Sequence, residues 1–345
     1  MTSARLRKAV ASGAVLALIV AVPTQAASKT KRARIAARFV ASQQAANGSI
    51  VTFSVVGSTA DAVMSFVAVG RGKGAIQEAI SFLRGKVKDD KVATVGVASK
   101  VLMAAYAAGK DPTGFGAHDL VAQIENAEQP DGRFGEIEFS YVYDQALALL
   151  ALDAAGIDPS AAAVAWLENA QCGDGGWQFD QPSGPNDDEE CFDETDEIDF
   201  NTTDSNTTAL AIQALEVSEV SEGSEDVVVG EAFGYLEALR DPKHDGWGYT
   251  ATFPTTDANS TSLVIQAYAA AERLKPQGSM GALISLQHRL CGKKGGAFGF
   301  TFDGKKKTPP DAGATIAGMV GLLKKPFPIQ PRTVTKPAPK PTKCR

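Results

Sequence analysis

Apolar residues along this chain recur at helical spacing, in two kinds of segment that alternate. The first kind is amphipathic. Residues 161–171 (AAAVAWLENAQ) and 230–240 (GEAFGYLEALR) carry an apolar side chain every three or four positions, with polar ones between, as a helix with one buried face requires. The second kind is apolar on most faces: 61–70, 94–109, 144–156, 204–217, 257–270 and 311–323. Helices of that pattern are surrounded by protein. Glycine-rich turns join the two kinds: Asn47-Gly48-Ser49-Ile50, Asp131-Gly132-Arg133-Phe134, Asp174-Gly175-Gly176-Trp177, Asp245-Gly246-Trp247-Gly248 and Gly295-Gly296-Ala297-Phe298, with a looser copy at Thr113-Gly114-Phe115-Gly116. Glycine permits the positive φ of a tight turn, and the following aromatic (Phe134, Trp177, Trp247 or Phe298) is expected to pack the turn onto the body.

An aspartate leads five of the six apolar segments, at Asp61, Asp144, Asp204, Asp257 and Asp311. Repetition of one helix–turn–helix unit predicts six helix pairs. An open row of repeats needs polar caps at its ends, and none is evident, so the pattern predicts an all-α fold closed into a ring of six hairpins, an α6/α6 toroid, over residues 34–325. Residues 1–26 read as a secretory signal peptide: Arg5, Arg7 and Lys8, an apolar run over 9–22, then small residues at 24–26. The run is short for a stable span, though an uncleaved anchor is the alternative. Residues 27–33 read as a linker, and 326–345, rich in proline and basic residues, as an extended polyproline-type tail that hangs free or touches an anionic cell envelope.

Composition narrows the function. A net charge of −6 lends no support to a nucleic-acid partner. The four cysteines, Cys172, Cys191, Cys291 and Cys344, suit disulfides in a secreted chain. Three connectivities exist; Cys172–Cys191 and Cys291–Cys344 are favoured, because the first pair flanks one loop and the second ties the tail to the last repeat. The spacing is not that of a zinc site, and His118, His244 and His288 read as lone residues, so no metal or cofactor is expected. The acidic loop 187–199 is read as solvated, with calcium as the alternative.

The segment Trp166-Leu167-Glu168-Asn169-Ala170-Gln171-Cys172-Gly173-Asp174-Gly175-Gly176-Trp177 resembles the repeated glutamine–tryptophan motif of the terpenoid cyclase and protein prenyltransferase superfamily. Residues 235–247 are a second copy with Arg240 in place of glutamine, and Phe39, Val40 and Gln44 a fainter one. The resemblance implies that the motif clamps outer helices and that the second helix of each pair lines the ring. Asp204-Ser205-Asn206-Thr207-Thr208-Ala209 is similar to the squalene-cyclase acid motif Asp-x-Asp-Asp-Thr-Ala, but the proton-donor position holds Asn206 and the next holds Thr207; 257–262 repeats the altered form. An amide cannot protonate an alkene, and the inner segments are mostly aliphatic, so the resemblance does not carry cyclase activity with it.

The leading aspartates then have two readings. They are N-caps, or they crowd the mouth of the ring and touch a ligand. The candidate ligand-binding set is Tyr141, Tyr143, Asp144, Asp204, Asn206, Thr207, Asp257, Asn259 and Asp311. Three functions remain in order: a monomeric, non-catalytic binder of an apolar or corrinoid-like small molecule, by analogy with the ring-fold cobalamin carriers; a diverged terpenoid cyclase-like or carbohydrate-active enzyme; and a cell-surface scaffold.

Overall fold

The computed structural model describes residues 23–135, 141–180, 191, 202–218 and 225–344. The body is a double layer of helices. The inner layer is α2 (Val55–Val69), α4 (Val95–Ala107), α6 (Val142–Ala155), α8 (Ser205–Val217), α10 (Ala258–Ala270) and α12 (Ala312–Leu323). The outer layer is α1 (Pro23–Ser42), α3 (Lys73–Lys88), α5 (Leu120–Glu125), α7 (Ala161–Asn169), α9 (Glu225–Ala238) and α11 (Ser279–Ser285). Each inner helix packs on the next, and α12 packs back on α2, so the inner layer closes. The first outer helix, α1, seals the seam by packing on α12. The expected all-α toroid is therefore the fold.

The inner helices are buried because they are aliphatic all round: in α6 the buried run takes in Ala146, Leu147, Ala148, Leu149, Leu150, Ala151 and Leu152. The amphipathic α3 buries only Ile76, Ala79, Ile80, Leu83 and Val87. Two-residue strands decorate the turns. β1 (Trp177–Gln178) pairs antiparallel with β2 (Thr203–Asp204), β3 (Phe298–Gly299) with β6 (Pro310–Asp311), and β4 (Phe302–Asp303) with β5 (Lys306–Lys307).

The turns are built alike. Asp174 Oδ1 accepts from the Gly176 N–H at 2.9 Å, and Asn47 and Asp131 do the same two residues on. Gly175 has φ 87°, and a β-carbon there would lie 2.7 Å from the Glu231 carbonyl, so only glycine serves. The backbone N–H of each turn aromatic is then bound by the inner helix: Trp177 by Thr208 Oγ1 at 2.9 Å, Trp247 by Thr261 Oγ1 at 3.0 Å, and Phe298 by Thr315 Oγ1 at 2.9 Å. Phe134 binds Gln145 Oε1 instead. All four rings are buried, which assigns them to packing.

Glutamines staple turns to the following outer helix. Gln171 Nε2 donates to the carbonyls of Gly175 and Val228, and Gln44 Nε2 to those of Gly48 and Ala75. Arg240, at the position where glutamine is expected, reaches the carbonyls of Asp245 and Gln277, so the departure keeps the clamp. Gln287 bonds the carbonyls of Gly296 and Arg32 and closes the seam with the same device.

Several expectations are corrected. Residues 27–33 are not a linker: α1 runs through them, and Ala33 is fully buried. α2 starts before Asp61, with Ser54 as its N-cap. The proline-rich tail does not hang free. Its main chain is bound at the Gly72 and Lys73 N–H groups through the Lys336 carbonyl, at Arg38 through the Lys340 carbonyl, and at Gly292 through the Thr342 carbonyl, and Ile329 is buried. Polyproline-type chain leaves its carbonyls unpaired, and the ring edge supplies donors. The disulfides are Cys172–Cys191 and Cys291–Cys344. Apart from Cys191, the acidic loop 187–199 lies outside the described residues, as do residues 1–22 of the segment 1–26 that reads as a signal peptide, and no described helix is long and apolar enough to cross a membrane.

Candidate functional site

The six inner helices surround a cavity of about 260 Å³ on the ring axis. Its mouth lies on the side of the inner-helix N-termini, where Phe53 stands 98% exposed on the rim. Its far end is stopped by Phe327 of the tail. Leu147, Leu210, Leu263, Ile316 and Val320 line it alongside Tyr143, Asn206 and Asn259. Of the candidate ligand-binding residues, these last three face the cavity. Tyr141, Asp144, Asp204, Thr207, Asp257 and Asp311 do not line it.

Those carboxylates are occupied at helix starts. Asp204 accepts from the Asn206 and Thr207 N–H groups at 2.8 Å each and from Thr207 Oγ1 at 2.7 Å. Asp257 accepts from the N–H and Oγ of Ser260, and Asp311 from the N–H of Ala314. Asp144 differs, because it sits within the first turn of α6 and is not its N-cap. Its carboxylate instead takes the N–H of Gly96 on the neighbouring α4. The segment 94–109, which lacks a leading aspartate of its own, thus borrows an anion from next door. Gly96 makes this fit, since a β-carbon there would overlap the Asp144 carboxylate.

Burial pushes Asp204 up to about 7, against the bonds from Thr207 and Asn206, and pushes Asp257 up to about 6. Asp144 is also raised to about 6 by burial, which outweighs Lys100. In an unfolded chain these groups bind protons only below about 3.9. The folded state therefore holds more protons between roughly pH 4 and 7, and stability is expected to rise as pH falls through that window. Asp241 does not offset this. Burial alone would raise it, but bonds from Thr256, His244 and Lys243 hold it down at about 2, so its loss begins only below about pH 4. Thermal midpoints at pH 7.5 and 5 check the sign, and Asp204→Asn should flatten the slope. A midpoint that falls on acidification contradicts the assignment.

Sequence reasoning missed the charged part of the wall. Asp61 Oδ2 bonds Lys100 Nζ at 3.0 Å, and the ammonium lies 5.7 Å from the centre of the Tyr143 ring. Burial works to lower the Lys100 proton affinity, but Asp61 prevails and holds it above the usual lysine range. Three carboxamide oxygens on the wall, Asn206 Oδ1, Asn259 Oδ1 and Gln266 Oε1, are buried without a hydrogen-bond partner. Buried polar atoms are normally paired, and these three are exceptions. Among the described residues no group of three or more His, Cys, Asp or Glu side chains could hold a metal ion.

Residues 11–257 match the family model of the squalene-hopene cyclase C-terminal domain. Among curated proteins, none matches the chain. Several solved structures share its architecture. A variant of the type II terpene cyclase MstE from Scytonema, in complex with geranylgeranyl dihydroxybenzoate, superposes with a TM-score of 0.60 at 13% identity, over 87% of this chain and 98% of that one. An unsaturated glucuronyl hydrolase specific for heparin gives 0.63 at 12% identity, over 87% and 96%. Haptocorrin in complex with Cbi gives 0.56 at 15% identity, over 88% and 69%. At these identities the likeness is one of fold.

Proposed function

Because the chain belongs to the squalene-hopene cyclase C-terminal domain family, we propose that its ring keeps a central ligand cavity without the acid that would make it a cyclase, and that it works as a secreted, non-catalytic small-molecule binder. The observation that carries this reading is Asn206. The resemblance to the family's acid motif puts it where the proton donor would be, its Oδ1 is buried at the cavity wall, and that oxygen has no partner. A carboxamide accepts and donates hydrogen bonds but has no acidic proton for an alkene. The carboxyl nearest to it in sequence, Asp204, spends its oxygens on the start of α8 and does not reach the cavity.

Cavity size restricts the ligand. The cavity measures about 260 Å³. That is below the usual range for drug-sized ligands, about 300–1,000 Å³, and argues against a polyprene or a corrinoid seated inside. The ligands held by the terpene cyclase and haptocorrin neighbours support ring binding as a use of this architecture. Two disulfides and the charged-then-apolar start of the chain support secretion.

Native mass spectrometry of the protein purified from its own medium is expected to show a retained small molecule. Incubation with linear polyprenes is expected to return them unchanged. A cyclised product from the wild-type protein would overturn the non-catalytic reading. Product from Asn206→Asp alone would show that only the acid is missing.

A further inference from the structure

The two central glutamines of α8 and α10 occupy matching places, in the segments Ala211-Ile212-Gln213-Ala214 and Val264-Ile265-Gln266-Ala267. Each donates its Nε2 to the carbonyl four residues back, Ala209 at 3.0 Å and Ser262 at 3.1 Å. That bond fixes the amide and turns the oxygen the other way. Gln213 Oε1 accepts the backbone N–H of Phe327 at 2.9 Å. Gln266 is 1% exposed, and its Oε1 accepts nothing. The tail therefore fills one of two equivalent acceptor sites and leaves the other open on the cavity wall.

A second open acceptor lies on the same helix. Asn259 is two turns nearer the mouth, roughly 10 Å by the rise of an α-helix, with Leu263 between them on the cavity wall. Asn206 adds an unpartnered oxygen beside Asn259 on α8. The paired Asp61 and Lys100, on α2 and α4 across the ring, lie about a turn deeper, level with Leu147, Leu210 and Leu263, and neutralise one another. The mouth therefore offers two unpartnered oxygens, which accept and do not donate, and an ammonium is a group of donors alone. Between the asparagines and Gln266 the rest of the wall is Leu147, Leu210, Leu263 and Ile316.

We propose that the cavity binds a short aliphatic chain that carries a primary ammonium at the mouth and a hydroxyl or amine donor at its inner end. The ammonium meets Asn206 and Asn259, the methylenes lie on the leucines, and the inner donor meets Gln266 Oε1. This ligand class rests on the reading of the ring as a binder.

Calorimetric titration with straight-chain amino alcohols of increasing length tests it, beside the matching alkylammonium and alkanoate series and toluene as a small neutral apolar probe. The amino alcohols should bind best at an intermediate length and displace toluene. Removing the inner hydroxyl should weaken binding by about tenfold, the usual worth of one hydrogen bond. Gln266→Met should remove that difference while leaving the alkylammonium unchanged. Asn259→Asp should tighten the ammonium ligands, a gain that a misfolded variant cannot mimic. Alkanoates that bind as well as the amino alcohols overturn the proposal. So does toluene binding that no amine displaces, which would still leave the ring a binder. An empty protein by mass spectrometry that takes up none of these probes removes both readings.

Discussion

Replacing Trp177 by alanine is expected to cost about 3–5 kcal/mol of folding stability, the range for truncating a buried large aromatic. The indole is fully buried, its Nε1–H donates to the Leu167 carbonyl at 2.8 Å, and its backbone N–H is held by Thr208. One residue thus joins the end of α7, the turn and the start of α8. Truncation empties that volume and orphans the Leu167 carbonyl. Trp247 has the same three attachments, to Leu236, Thr261 and the turn, so Trp247→Ala should lose a similar amount. The half-buried Trp166 is the control. Urea unfolding of the three variants measures the difference. A loss near 1 kcal/mol at Trp177 would mean that the turn aromatics are held for contact with a ligand and not for packing.

The second large effect is expected at the tail. The Cys291–Cys344 bond closes a loop of 53 residues, and the chain-entropy relation assigns such a loop about 4 kcal/mol. The paired change Cys291→Ser and Cys344→Ser should lower stability by that order and loosen residues 326–344, the segment that stops the far end of the cavity. Limited proteolysis should then cut within the tail first and leave the helical body intact. A variant as resistant as the wild type would show that the backbone bonds of the tail hold it without the covalent tie.

Where each helix lies was legible wherever one residue type had one physical use. Trp177, Trp247 and Phe298 follow glycine turns because the turn needs both a positive φ and a buried weight, and Asp204, Asp257 and Asp311 precede inner helices because a carboxylate there satisfies free N–H groups. The same logic misplaced Asp61 and Asp144. Each precedes an apolar run in the sequence, yet Asp61 bonds Lys100 and Asp144 serves α4, both across a helix interface that no local pattern reports. Lys100 was invisible among apolar neighbours for the same reason. Gln266 was hidden more deeply. Its significance comes from a comparison with Gln213, and that comparison needs the tail in place. The tail itself offered no periodicity, because it is held through main-chain groups that every residue carries.

The seam of the ring sets the order in which the molecule can assemble. Arg38 on the first helix donates to the carbonyls of Leu290, Gly295 and Lys340, at sequence separations of 252, 257 and 302 residues. Until the last repeat exists, α1 has no α12 to lie on, and its buried face is exposed to solvent. Contacts of such long sequence separation form late and slow the folding of a chain. Emerging from a ribosome or a translocation channel, the protein must hold its first helix in reserve while five hairpins accumulate, and a chain stopped short of α12 remains an open crescent with apolar flanks at both ends, a ready target for chaperones and for proteolysis.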